Sequence, residues 1–539
     1  MNIYESISST STMIGEIISY SDNFNFKQLP KDLPNLKLIL SEMKCKIDSL
    51  LSEQCCDNIN IYSTSDYLDY LKTYLKELKT QSQSWKATLK TSQEEDLKII
   101  LSKLSTLYEY LEIVPNVPKD DLFSLSPTHD RWIRLLSITE KCHADIESKI
   151  HNKYRKLLGR IATGQALAFK DKNNPPPAAK KYFMLGLGPV LYALSKKKAL
   201  RKANLFYTEP SLELASQIWN MLESKMLRKL MKIVTKSIKF DKVIYVPKLA
   251  THVLESFIPF NSQEKYSTTP VDGYVMARIL STKKFGVFSK KPDIQYNKLI
   301  FHIHGGGFIS MSSASHQVYT NVWCRELKVP VISIDYRLAP KHPYPAGLDD
   351  VWQAWHWLMA QGKSLGLSPD QYVIVGDSAG GNLALALTYK ILSSGLSGPC
   401  GIVVAYPALN LDKNSFSPSL LHALEDLIIP HTFLKICLDA YLGDSANVND
   451  PTVSPIHIEN EILEKFPPTR IMVGNEDPLH DECFRFAEKL MMCGKDVRIA
   501  EYAGAAHGGL SYSFKGGIKE TKDMVMKAAV WMKEMLGIN

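Results

Sequence analysis

Tyr372-Val373-Ile374-Val375-Gly376-Asp377-Ser378-Ala379-Gly380-Gly381-Asn382-Leu383-Ala384-Leu385-Ala386-Leu387 decides the fold of this chain. Four apolar residues read as a buried strand, and the run from Asn382 reads as a helix. The small residues between them leave Ser378 on a tight strand-to-helix turn, the arrangement that exposes a nucleophilic hydroxyl. Gly376 and Gly380 suit that turn, because a Cβ would clash where the two backbones close on each other. About seventy residues earlier His304-Gly305-Gly306-Gly307-Phe308 follows another strand-like run, 299–303. Its glycines let the main chain approach an oxygen that is gaining negative charge. The two motifs in this order predict acyl transfer from a serine.

The hydrophobic period from about residue 243 is that of short strands: 243–246, 274–280, 299–303, 329–334, 372–375, 402–405, 470–473 and 496–501. Helical segments 348–359, 383–392 and 482–493 lie between them. Strands alternating with helices predict an α/β fold, a mostly parallel sheet flanked by helices, with the site at the carboxyl ends of the strands. A serine hydroxyl needs a base to take its proton. In this arrangement the chain order is serine, acid, histidine, so the base follows Ser378. The candidates are His422, His431, His457, His480 and His507, and only His507 stands in a small-residue loop directly after a strand. The acid that orients it should end the preceding strand, which selects Asp477, with Glu476 and Asp481 as rivals. Backbone N–H groups of Ala379 and of Gly305, Gly306 and Gly307, chiefly the last two, are the expected oxyanion hole. His304 is expected to hold the loop and not to act as a base.

Residues 1–200 read as a helical domain. Segments 67–78, 95–111 and 131–162 carry apolar residues at helical spacing, with polar or proline-bearing separators such as Pro115-Asn116-Val117-Pro118. Residues 201–242 follow as cap or linker helices. Within 208–240, Leu222, Met226, Leu230 and Ile233 trace one face and Lys225, Arg228, Lys229 and Lys232 another, a basic amphipathic helix suited to a lid or an anionic interface. Residues 243–539 complete the reading as the catalytic domain. The net charge of +8 is concentrated: residues 171–248 hold sixteen Lys or Arg against five Asp or Glu. No nucleic-acid fold signature accompanies this basic segment, so nucleic acid is not an expected partner. The nine scattered cysteines form no CxxC pair and read as reduced packing residues, with neither metal nor other cofactor expected. No apolar run reaches the length of a membrane span, and the first residues lack a leader pattern, so a cytoplasmic location is expected.

At this point the chain resembles the hormone-sensitive lipase family of α/β-hydrolases. The resemblance rests on His304-Gly305-Gly306-Gly307, on Tyr336-Arg337-Leu338-Ala339-Pro340 with Pro343-Tyr344-Pro345-Ala346, on Gly376-Asp377-Ser378-Ala379-Gly380-Gly381, and on Asp477-Pro478-Leu479-His480-Asp481. It implies a triad of Ser378, Asp477 and His507, and an oxyanion hole from the glycine loop plus Ala379. Leu205-Phe206-Tyr207-Thr208-Glu209-Pro210-Ser211 and its surroundings resemble that family's N-terminal domain, whose presence implies lipid association and dimer formation. The implied substrates are diacylglycerols, triacylglycerols, cholesteryl esters and retinyl esters, met at a lipid droplet or membrane surface. Three features depart from the family. Roughly a hundred residues separate Ser378 from Asp477, which leaves out the long regulatory insertion of the vertebrate proteins, and no Arg-Arg-x-Ser site occurs. Lys341 stands where glutamate is common, and Gly509 where phenylalanine is common. Two other readings compete with a lipid esterase: a soluble carboxylesterase or deacetylase of small esters, and a ligand receptor on a hydrolase scaffold. The receptor reading expects the loss of a triad residue, whereas all three are present.

Overall fold

The computed structural model describes residues 3–22, 36–52, 61–82, 91–111, 238–247, 258–259, 273–289, 295–443 and 446–538, and, apart from a few single positions, 113–169 and 177–220, with Glu223. The chain divides into two units. One comprises Met1–Ile133, Lys156–Ser211 and Asn414–Thr432; the other comprises Arg134–Arg155, Leu212–Lys413 and Phe433–Asn539. This partition differs from the expected boundaries at 200 and 242.

The second unit is built on one sheet. Among the described residues its strands are β1 (Thr139–Cys142), β2 (Phe240–Pro247), β3 (Ile258–Pro259), β4 (Tyr274–Ser281), β5 (Tyr296–Ile303), β6 (Val331–Asp335), β7 (Leu367–Asp377), β8 (Gly401–Ala405), β9 (Thr469–Gly474) and β10 (Val497–Tyr502). Their order across the sheet is β1-β10-β9-β8-β7-β5-β6-β4-β2-β3. From β1 to β6 all neighbours are parallel, while β4 pairs antiparallel with both β6 and β2. Leu299, Ile300, Phe301 and Ile303 of β5 and Val373, Ile374 and Val375 of β7 are buried, as parallel strands covered on both faces require. Helices Ala346–Gln361 and Ala379–Ser393 contain the expected segments 348–359 and 383–392, and His480–Met492 matches 482–493 up to its cap, Cys493.

One segment departs from the sequence expectation. Residues 131–162 were expected to be a single helix; they form Asp130–Ser137, then β1, then Glu147–Ala168. Thr139-Glu140-Lys141-Cys142 is an edge strand whose middle residues face water, so its side chains alternate too weakly to mark a strand. What fixes it is non-local, the parallel register of Thr139 to Cys142 on Ile499 to Tyr502. The expected basic amphipathic helix 208–240 lies mostly outside the described residues; within them the chain is helical from Leu212 to Asn220 and extended from Phe240.

The first unit is helical. Ile3–Asp22, Leu36–Ser52, Ile61–Ser82 and Thr91–Leu111 share a core that includes Ile14, Leu40, Met43, Leu71, Leu75 and Leu104. Phe416, Leu421 and Leu424 join that core, which is why the segment 414–432 groups with these helices despite its distance in sequence. Polar ties reinforce the packing: the Tyr67 hydroxyl donates to the Leu107 carbonyl at 2.8 Å, and Arg201 donates to the Asp96 carboxylate at 2.7 Å.

His480 lies between Asp481 (Nδ1 to Oδ1, 2.9 Å) and Glu501 on β10 (Nε2 to Oε1, 3.1 Å). Burial works against its charge, but hydrogen bonds to the two carboxylates outweigh burial and raise its pKa to about 9, from 6.5. The raised value means that the bridge stabilises fully below about pH 6.5 and fades as pH rises through about 9. His480→Gln should therefore lose on the order of 2 kcal/mol of stability at pH 6, with the deficit shrinking above pH 9; denaturant unfolding of both proteins across that range checks it.

Candidate active site

The sheet brings the two glycine motifs together. β5 and β7 are neighbours with Ile303 opposite Gly376, so His304-Gly305-Gly306-Gly307 and Asp377-Ser378 leave the sheet side by side at its carboxyl edge. The Ser378 turn is strained, with φ 53° and ψ −123°, a conformation that costs free energy for any residue with a Cβ. It is held by Ser378 N–H donating to Ala405 O at 2.9 Å and by Asn382 N–H donating to Ser378 O at 3.1 Å. A Cβ on Gly376 would collide with the Gly380 carbonyl, and one on Gly380 with the Ile303 carbonyl.

Beyond β8, the parallel strands β9 and β10 deliver the remaining groups. β9 ends at Gly474, three residues before Asp477; β10 ends at Tyr502, five before His507. His507 Nδ1 lies 2.9 and 3.0 Å from the Asp477 carboxylate oxygens, and its Nε2 lies 2.9 Å from Ser378 Oγ. With Nδ1–H donated to the buried Asp477, Nε2 presents its lone pair to the serine hydroxyl. The Tyr406 ring, edge-on at 4.8 Å, packs against the imidazole, and the Tyr406 hydroxyl accepts from Leu510 N–H at 3.2 Å. The rivals are engaged elsewhere: Glu476 lies 3.6 Å from His151, and Asp481 pairs with His480.

The glycine loop requires one correction. Gly305, one of the glycines whose N–H groups are the expected oxyanion hole, instead donates its N–H to Asp377 Oδ1 at 3.0 Å. A Cβ there would stand 2.7 Å from the Asp377 carbonyl and 2.8 Å from its Oδ2, so Gly305 fixes the loop to the serine turn. Among the described residues nothing accepts from the N–H groups of Gly306, Gly307 or Ala379. Gly306 and Gly307 adopt φ of 119° and 59°, which turns the loop back on itself. His304 is buried; it stacks on Tyr336 at 4.4 Å and places Nδ1 2.7 Å from Gly305 O. Burial lowers its pKa to about 4, so it is a neutral wedge at neutral pH. The Tyr336 hydroxyl donates to His304 O at 2.9 Å and Ala339 N–H donates to Phe308 O at 2.9 Å, which explains why the Tyr336–Pro340 motif accompanies the glycines.

Beneath these groups is a polar cluster that the motifs do not announce. Tyr319 donates to Asp377 Oδ1 at 2.8 Å, and His316 Nε2 lies 3.5 Å from the same oxygen. His316 Nδ1 is 2.8 Å from Ser312 O, and His302 bridges Ser333 (2.6 Å) and Tyr319 (3.0 Å). Burial alone would raise the Asp377 pKa, but the His316 charge and hydrogen bond, with help from His302 and Tyr319, take it well below the usual carboxylate range. Burial works against a charge on His316, yet Asp377 raises its pKa. The two form a buried ion pair under the serine turn. The only sequence signal for it is that His316 and Tyr319 stand three apart, on one face of the helix Gln317–Leu327.

Comparisons with known proteins bear on the fold that carries this site. A family model described as alpha/beta hydrolase fold matches residues 300–511. An esterase of Acinetobacter venetianus is 33% identical over 214 residues, covering 40% of this chain and 68% of its own. The chain belongs to the α/β-hydrolase fold family. Hormone-sensitive lipase of Mus musculus is 41% identical over 148 residues, 28% of this chain and 19% of its own. That of Bos taurus is 30% identical over 253 residues, 42% of this chain and 33% of its own. The matched part thus spans about a fifth to a third of those mammalian relatives. Among solved structures, the Pyrobaculum calidifontis esterase (TM-score 0.51, 23% identity) covers 61% of this chain and 94% of its own. In this α/β-hydrolase a Cβ on Gly509 would stand 2.5 Å from Met524 Sδ, the end of a flexible side chain.

Removing the charge on Asp377 strands His316 in the interior and loosens the hold on Gly305. Asp377→Asn should lower stability by about 3 kcal/mol and kcat on a soluble ester by tenfold or more, on the order of the loss of an oxyanion donor. Tyr319→Phe, which removes one donor of several, should cost about 1 kcal/mol. Urea unfolding and p-nitrophenyl butyrate kinetics on the two variants check both.

Proposed function

We propose that this chain is a serine esterase of lipid esters, cleaving diacylglycerol, triacylglycerol and cholesteryl or retinyl esters at a droplet or membrane surface in the cytoplasm. The observation that carries this reading is the apolar wall beside the oxyanion loop. At Gly307 a Cβ would stand 2.7 Å from Cys437 Sγ and 2.9 Å from the Trp219 ring, so both side chains lie directly on the loop. Phe433 packs edge-on to Trp219 at 6.0 Å, and Phe308 stacks on Tyr441 at 3.7 Å. Phe308, Phe433, Cys437 and Tyr441 are buried in this packing, so half-buried Trp219 is the apolar side chain it offers to a long acyl chain, from which a small ester gains little. Among the described residues no helix is long and apolar enough to cross a membrane, so contact with lipid on this reading is peripheral.

In the proposed reaction Ser378 Oγ attacks the ester carbonyl while His507 Nε2 takes its proton. Asp477 holds the ring and stabilises the imidazolium without taking the proton itself. The tetrahedral oxyanion is received by the N–H groups of Gly306, Gly307 and Ala379, a contact that strengthens as charge develops. Collapse expels the alcohol with the proton from His507, leaving an acyl group on Ser378. Water, deprotonated by His507, then releases the fatty acid by the same steps.

A second reading, a soluble carboxylesterase of small esters, is favoured by one finding. The esterase of Acinetobacter venetianus is matched over 68% of its length, far more than the mammalian lipases. A chain-length series separates the two. On the lipid reading, kcat/KM rises from acetyl to decanoyl esters, and emulsified diolein is hydrolysed. Ser378→Ala should lower turnover of all of them by about 10⁴-fold or more. Trp219→Ala should raise KM for a decanoyl ester roughly tenfold while leaving the acetyl ester within about twofold. Activity confined to short soluble esters would favour the second reading.

A further inference from the structure

The helix Ala178–Leu194 is apolar on two opposite faces, yet only one of them is packed. On the packed side Gly188 lies against Gly164 so closely that a Cβ would meet the Gly164 backbone and stand 2.7 Å from the Arg160 carbonyl. Tyr192, buried on the neighbouring turn, would stand 2.5 Å from a Cβ on Gly159. On the opposite side Phe183 is 67% exposed, Val190 51% and Leu194 79%, and Gly186 and Ala193 are exposed beside them. At about 100° per residue these five positions fill one sector of roughly 100°, centred opposite Gly188.

The charges lie at the ends of this face and not within it. Lys180 and Lys181 precede it and Lys196, Lys197 and Lys198 follow it, with no charged residue from 182 to 195 and no Asp or Glu from 172 to 208. Lys180 and Lys196 to Lys198 are exposed. Three large apolar side chains on one helix face in water are a docking surface in search of a cover.

We infer that this face docks on an anionic lipid surface, the helix lying in the interfacial plane with Phe183, Val190 and Leu194 among the acyl chains and the flanking lysines at the headgroups. The charge pattern selects lipid over a second copy of the chain. Two such helices paired antiparallel would bring Lys180 of one copy toward Lys196 to Lys198 of the other; paired parallel, each of these lysines would meet its own counterpart. Either pairing sets cations against cations, whereas anionic headgroups neutralise both ends at once. The inference rests on the proposed action at a lipid surface and assigns the contact to the helical unit.

The test is co-flotation of the full chain with phosphatidylcholine vesicles, with and without phosphatidylserine. Wild type should float with the phosphatidylserine vesicles. The triple variant Phe183→Ser, Val190→Ser, Leu194→Ser should partition at least about tenfold less. The triple variant Lys196→Glu, Lys197→Glu, Lys198→Glu should lose the preference for phosphatidylserine. Both variants should hydrolyse p-nitrophenyl butyrate like wild type, since the altered residues lie on an exposed face outside the catalytic unit. The inference is overturned if the serine variant floats like wild type, if wild type binds neither vesicle, or if wild type is a dimer that the serine variant dissociates. Diolein hydrolysis separates the levels. A wild type that cleaves emulsified diolein without floating loses only this docking surface, whereas one confined to short esters loses the lipid reading as well.

Discussion

The hydrogen bond from Gly305 N–H to the Asp377 carboxylate, 3.0 Å long, joins the two halves of the site. One half is the loop after β5, where among the described residues nothing accepts from the N–H groups of Gly306 and Gly307. The other is the turn after β7, which carries the nucleophile. Both leave adjacent parallel strands in register, but register alone does not fix the distance between a loop and a turn. The carboxylate does so from beneath, and its ability to stay ionised in the interior depends on His316 and Tyr319. Oxyanion donors act by being in place before the charge appears, so a rigid hold on the loop is part of the chemistry.

The same logic extends to the acid and the base. A Cβ on Gly474, at the end of β9, would collide with the Ala505 carbonyl, and one on Gly504 with the Glu147 carbonyl. The loop that carries His507 is thus pressed between the end of β9 and the start of the helix Glu147–Ala168. Asn475 strengthens that seat, accepting from Gly504 N–H at 2.7 Å. Strand order places Asp477 and His507 near each other; these close approaches bring the imidazole within hydrogen-bond reach of both partners.

Much of this was legible in the sequence because the residues involved are constrained locally. Ser378 announces itself through the small residues of its turn, and His507 through the loop after a strand. Strand period located eight of the strands: β5 to β10, apolar because parallel strands are covered on both faces, and the antiparallel β2 and β4. What was not legible depends on partners distant in the chain. β1 is polar and exists by pairing with β10, and residues 414–432 group with the helical unit by burying Phe416, Leu421 and Leu424. Gly305 looked like its neighbours, and only the direction of its N–H separates it from them. Asp377, visible inside its motif, gained its role from His316 and Tyr319, which no motif marks.

Activation of Ser378 by His507, in a site set by the two glycine motifs, is open to direct chemical test. Fluorophosphonate labelling with peptide mapping by mass spectrometry tests it most directly. One adduct is expected, on Ser378, forming at least about 10³-fold more slowly in a folded His507→Gln variant. An adduct on another residue, or labelling of Ser378 at an unchanged rate in that variant, would contradict it.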